Sequence, residues 1–169
     1  MNAPHIRRFF LGAAALVAAL SLSGCGFALK APPQLGVRSV ALQGFAPQSE
    51  MAAALRRALP RDVRVVASPA QAELVISARD DRFERSVVSS TAAGQVREFR
   101  LRVSLRFSLS TGAGKPLLKD TLLEQTRDMS TTETAALAKE VEQNALLLEM
   151  RDDLARQLLR MAATVAPAR

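Results

Sequence analysis

The chain has 169 residues, with 23 Lys and Arg against 16 Asp and Glu for a formal charge of +7, one histidine, one cysteine, and neither tryptophan nor tyrosine. A single cysteine excludes an internal disulfide and a thiolate metal set, and His5 alone makes neither an imidazole metal site nor, once its segment is removed, a Ser-His-Asp arrangement. Carboxylate-only and Ser-Lys chemistry survive this filter, but nothing in the sequence points to either, so the chain reads as a non-enzyme without cofactor or metal.

The N-terminus carries Arg7-Arg8, an apolar run over residues 9–22, and then Leu22-Ser23-Gly24-Cys25. A basic start, a short apolar stretch and small residues before a cut form a bacterial export signal. A cysteine at the cut makes it a lipoprotein signal, with Cys25 as the lipid-attachment residue. The apolar run is short of the ~20 residues that span a bilayer as a helix. An ordinary secretory signal with a chance cysteine is the alternative. Gly26 stands where an aspartate commonly retains lipoproteins in the inner membrane, so the expected address is the periplasmic side of the outer membrane. Removal of residues 1–24 takes Arg7, Arg8 and His5 with it and lowers the charge to about +5. That excess favours anionic partners. At this address the phosphates of lipopolysaccharide are close at hand and nucleic acid is not, although a generically basic proteome explains the excess as well.

Residues 25–36, with Pro32-Pro33 and little periodicity, read as a lipidated tether. Residues 37–166 are long enough for one domain with a real core, and 167–169 form a short tail. A first strand is expected over 37–42, followed by a turn over 44–47. Met51, Leu55 and Leu59 then lie on one stripe of a short helix that Pro60 stops. Residues 63–66 read as a brief strand or the entry to one. A strand opens at 74–76 and runs through a charged stretch marked by Phe83, and the Ser-, Thr- and Gly-rich residues 86–94 read as a flexible hairpin tip. Phe99, Leu101, Val103, Leu105, Phe107 and Leu109 alternate with Arg100, Arg102, Ser104, Arg106 and Ser108, a period of two that leaves little room for a helix. Gly112 and Gly114 mark a second hairpin, with the returning strand over 117–129.

A capping box at Ser130 with Glu133, or starting at Thr131, opens a long last helix. Its stripe is Leu147, Met150, Leu154, Leu158, Met161 and Val165, and Leu137, Val141, Ala145 and Leu148 extend the apolar surface around its side. The expected fold class is α+β: a two-layer sandwich, with a mainly antiparallel four-stranded sheet and two helices packed on one face. The other face then carries Arg100, Arg102 and Arg106, spaced roughly 7 Å apart where they are two residues apart. Three guanidiniums in a row suit a spread of phosphates; they equally suit a solvated outer face, and Glu98 is placed to pair with Arg100. Gly112 to Lys115 is no phosphate loop, because the glycine spacing is incomplete and Pro116 replaces the magnesium-binding Ser or Thr.

In order along the chain, Gly24-Cys25-Gly26-Phe27-Ala28-Leu29, Gly94-Gln95 before Glu98-Phe99, Leu137-Ala138-Lys139-Glu140 with Glu142-Gln143, and Gln157-Leu158-Leu159-Arg160 resemble the LptE family of small lipopolysaccharide-assembly lipoproteins. The resemblance covers nearly the whole mature chain and implies a two-layer α/β domain that plugs a large outer-membrane β-barrel, an LptD-like lipopolysaccharide-assembly protein. It implies support for assembly of that barrel and direct binding of lipopolysaccharide without catalysis. Of the basic positions the family links to that binding, one matches Lys139; the other, an arginine before Gly-Gln, falls on Ala92. Arg97, Arg100, Arg102 and Arg106 are therefore the further candidates. The rival readings are a free-standing lipoprotein that binds an anionic envelope ligand without a barrel, and a periplasmic hydrolase built on carboxylates or Ser-Lys.

Overall fold

The computed structural model describes residues 35–130 and 136–166. The export signal, Cys25, most of the tether, Glu133 and Thr131 of the expected capping box, and the tail lie outside them.

Leu35 and Val37 are already buried where the chain enters β1 (Ser39–Gln43). Gly44, at φ 74°, turns the chain so closely against β3 that a Cβ there would run into the Ala78 carbonyl oxygen. Helix α1 (Glu50–Ala58) starts at Ser49, whose hydroxyl accepts the Ala52 N–H at 3.0 Å, satisfying one of the first-turn donors that lack a helical partner. Met51, Ala54 and Leu55 are buried while Arg56 and Arg57 stay outside, and Pro60 follows the last turn as expected. The chain returns through β2 (Arg64–Val65) and a 3₁₀ turn (Pro69–Gln71) to three long strands, β3 (Leu74–Ser90), β4 (Val96–Ser110) and β5 (Pro116–Ser130). Helix α2 (Ala136–Val165) closes the described chain.

The strand order is β2-β1-β3-β4-β5. β1 runs parallel to β2 and to β3, and β3, β4 and β5 are antiparallel. The class is the expected α+β, with five strands in a mixed sheet rather than four. The extra strand, β2, has two residues and is too short to show a period. Its parallel pairing to β1 follows from the helix between them, since parallel neighbours need a crossover connection.

Both helices pack on the face that carries Leu101, Val103, Leu105, Phe107 and Leu109, none more than 1% exposed. Met51 and Leu55 of α1 and Leu147, Met150, Leu154, Leu158, Leu159 and Ala162 of α2 complete the core. Full burial of one such leucine contributes roughly 1.5–3 kcal/mol. A smaller cluster of Ala41, Ala72 and Val75, with Val66 against it, is built on the opposite face beside the 3₁₀ turn.

Two expected boundaries move. Residues 86–90 are strand, not hairpin tip: Val87 and Ser89 pair with Phe99 and Glu98, so the tip shrinks to residues 91–94, closed by the Thr91 N–H to the Gln95 carbonyl at 2.8 Å. A partner strand long enough to pair with them outweighs their turn-prone composition. Ser130 ends β5 instead of capping α2, whose first described residue is Ala136.

Candidate functional site

At ~1.5 Å per helical residue the nine residues of α1 span about 14 Å, and at ~3.3 Å per strand residue the seventeen of β3 span about 56 Å. Helix α1 therefore covers only the first part of β3. β1 pairs with β3 only through Leu74–Ser77 on β3, and no described strand pairs with that edge beyond. Among the described residues, the hairpin half of β3 is thus bare along one edge and unroofed by α1.

That bare half is apolar on the helix side. Phe83 and Val87 stand opposite Val103 and Phe99, and directly opposed residues of an antiparallel pair share a face. They are 41% and 55% exposed. On α2, Leu137, Val141 and Leu148 follow helical spacing and are 76%, 65% and 45% exposed. Continued down the helix, the same stripe runs into Ala155 and Leu159, fully buried where α1 lies against α2. Arg57 and Asp152 join the two helices there at 2.8 Å. The stripe is core where α1 reaches it and surface where α1 does not. Arg85 bridges the two walls of this strip, its guanidinium 4.0 Å above the Phe99 ring and its Nη1 donating to Gln143 Oε1 at 3.0 Å.

The expected arginine row is present on the other face of the sheet, but it is matched by carboxylates. Arg100 forks onto Asp128, with Nε to Oδ1 at 2.8 Å and Nη2 to Oδ2 at 2.9 Å. This two-bond pair holds the Asp128 carboxyl below its ordinary pKa and raises that of the guanidinium. Arg102 lies 3.7 Å from Glu124, Arg79 lies 3.7 Å from Asp120, and Arg82 pairs with Asp80 at 2.7 Å. Glu98, the expected partner of Arg100, plays a smaller part than Asp128. Arg106 stands opposite Asp80, whose carboxylate Arg82 already takes, and Arg106 and Arg97 are exposed with no ion pair among the described residues.

Lys139 sits in the first turns of α2, its Nζ 2.7 Å from Glu142 Oε2. It therefore lies on the helix side of the sheet, opposite the arginine row, so the candidate cations do not converge on one pocket. Ala92 is exposed in the hairpin turn. Sequence reasoning missed the carboxylate partners and the exposure of Leu137 and Val141. The first carried no local signal: the register at the turn, Ser110 opposite Pro116, would put Thr126 opposite Arg100, and two register shifts before Phe107 bring Asp128 there instead. Among the described residues no group of three His, Cys, Asp or Glu is placed to hold a metal ion, and no helix is long and apolar enough to cross a membrane.

Comparison with known proteins adds a family and a fold. A family model described as LptE, lipopolysaccharide-assembly, matches residues 37–162. No curated protein sequence matches the chain. Among solved structures, an uncharacterized lipoprotein B from Nitrosomonas europaea superposes with a TM-score of 0.66 at 22% identity, over 82% of this chain and 92% of that one. The rare lipoprotein B from Shewanella oneidensis gives 0.62 at 26% identity, over 75% and 95%. A minor lipoprotein from Acinetobacter baumannii gives 0.61 at 16% identity, over 75% and 91%, a likeness of fold.

Proposed function

Because the chain belongs to the LptE family of lipopolysaccharide-assembly proteins, we propose that it is acylated at Cys25, resides on the periplasmic side of the outer membrane, and plugs an LptD-like β-barrel. There it supports assembly of the barrel and contacts lipopolysaccharide during insertion into the outer leaflet. The family is one of non-enzymatic bacterial envelope lipoproteins, so the work is docking rather than catalysis.

The observation that carries this reading is the apolar strip of Phe83, Val87, Leu137, Val141 and Leu148 beside the bare edge of β3. Exposed apolar residues gathered on one strip mark interaction surfaces, and an unpaired strand edge offers a row of backbone donors and acceptors. For lipopolysaccharide, Arg97 and Arg106 are the two of the four candidate arginines without an ion pair among the described residues, with Lys139 on the helix side. Arg100 and Arg102 reach a phosphate only in exchange for Asp128 and Glu124.

Co-purification in mild detergent tests the docking. The native chain is expected to bring down a large heat-modifiable barrel, and Leu137→Asp with Val141→Asp to lose it while the melting temperature holds. A native chain that comes down alone would support the free-standing lipoprotein instead. For lipopolysaccharide, Arg97→Glu with Arg106→Glu is expected to weaken binding at low salt more than Arg100→Glu with Arg102→Glu. The reverse order would place the contact on the matched ladder.

A further inference from the structure

The two ends of the domain differ in charge. β1, β2 and β3 begin at one end, because β1 is parallel to both others. The β4–β5 turn closes there, with Gly112 seated on the carbonyls of Ala72 and Pro69. Helix α1 finishes there as it returns from β1 to β2. Helix α2 runs toward the same end, since Gln143 meets Arg85 in the hairpin half while Asp152 meets Arg57 in the last turn of α1. The chain also enters there, through buried Leu35 and Val37.

Arg38, Arg56, Arg61, Arg64, Lys115 and Arg160 are exposed at this end, and none has an ion pair among the described residues. Arg38 directly precedes β1 and Arg64 opens the neighbouring β2, the Arg64 N–H donating to the Arg38 carbonyl at 2.8 Å. Apart from Asp152, which Arg57 neutralises, the carboxylates here are Glu73, which accepts the Arg38 backbone N–H at 2.8 Å, and Asp62, which is also engaged. Outside Arg7, Arg8, Lys30, Arg169 and Glu133, the described residues hold 19 Lys and Arg against 15 Asp and Glu. Six cations against two carboxylates at this end equal that whole excess of four. The rest of the domain, ion-paired ladder included, balances to zero.

Cys25 lies ten residues before Leu35, so even a fully extended link between them reaches no more than about 35 Å. We propose that, before the chain docks in its barrel, this basic end is a second membrane contact, which docks on the phosphates of anionic phospholipid headgroups in the leaflet that holds the Cys25 acyl chains. The inference rests on Cys25 acylation as the reading of the anchor. Guanidiniums pair with phosphate oxygens in two-bond forks, and basic residues next to an anionic leaflet are drawn to it within a Debye length. Acyl chains hold the protein on the membrane without orienting it. In the chain not yet docked in a barrel, the basic end supplies that orientation and leaves the apolar strip of the hairpin half uncovered.

The chain has neither Trp nor Tyr, so a single introduced Trp is a clean reporter. Val65→Trp places it beside Arg64 at a site already 43% exposed, and Leu137→Trp places it in the hairpin half. Each full-length processed variant is reconstituted in vesicles that carry a headgroup quencher, in phosphatidylcholine alone or with phosphatidylglycerol. The expected result is quenching of Val65→Trp only with phosphatidylglycerol. It should be relieved at about 0.5 M NaCl, where the Debye length falls to about 4 Å, and Leu137→Trp should stay bright throughout. Arg38→Glu, Arg61→Glu and Arg64→Glu together should abolish the quenching with the circular dichroism unchanged. Should that variant misfold, Lys115→Glu and Arg160→Glu, in a turn and at a helix end, should each cut it several-fold. Equal quenching in both lipids, full quenching after charge reversal, or equal quenching of both reporters would overturn the proposal. Fatty-acid labelling of the same preparations separates failure of the anchor from failure of the face. An unlabelled chain is added to preformed vesicles, where phosphatidylglycerol-dependent quenching still supports the face and its absence overturns it.

Discussion

Arg100 and Asp128 illustrate what a residue means before and after its neighbours are known. As a sequence feature, Arg100 begins a row of cations; in the sheet it is half of a two-bond fork with a carboxylate 28 residues further on. The native Asp128 carboxyl titrates below its unfolded value. Stability from the fork is therefore present above the ordinary carboxylate range and is lost as pH falls through the depressed native value. Asp128→Asn is expected to flatten the acid limb of melting temperature against pH, and to raise affinity for anionic vesicles or heparin by freeing Arg100. An unchanged acid limb would show that the fork adds no stability. Gly44 is the second case: its φ of 74° and its approach to the Ala78 carbonyl leave no room for a side chain. Gly44→Ala is expected to destabilise the domain by about 1–3 kcal/mol, read from urea unfolding. A change within about 0.5 kcal/mol would mean that the turn relaxes without cost. The turn at 44–47 was legible in the sequence, whereas its seat against β3 was not, because Ala78 arrives from a strand more than thirty residues later.

At the scale of elements, the length of α1 decides most. Leu147, Met150, Leu154 and Leu158 and the side stripe of Leu137, Val141 and Leu148 show the same apolar helical spacing, yet one is core and the other surface. Periodicity reports which side of a helix is apolar; it does not report how far the covering element extends. Leu158→Ala, fully buried beneath α1 and the sheet, is expected to cost about 2–5 kcal/mol. Leu137→Ala is expected to stay within about 0.5 kcal/mol. Chemical unfolding of the two variants side by side measures the contrast, and equal losses would mean that the stripe is covered along its whole length. The alternation of β4 was the clearest local signal, and it held from Arg100 to Leu109 because one face there is core and the other faces away from it. Residues 86–90 went the other way, their Ser-rich composition overridden by the backbone pairing that β4 supplies.

For the whole molecule, the proposed address rests on one residue. Cys25→Ser is expected to abolish incorporation of labelled fatty acid and to release the exported chain from the membrane fraction, and retention without label would point to another anchor. The order of short motifs along the chain already resembled a family of lipopolysaccharide-assembly lipoproteins, and the match over residues 37–162 bears that out. The sequence by itself determined the α+β class, the long alternating strand, the closing helix and the family, because each depends on residues near one another in the chain. Only the tertiary structure decided the mixed five-stranded pairing, the carboxylates that match the arginine row, the uncovered half of the helix–sheet face and the basic end. Each of these depends on groups brought together from distant positions by sheet register and by the unequal lengths of two helices, and no local pattern carries that information.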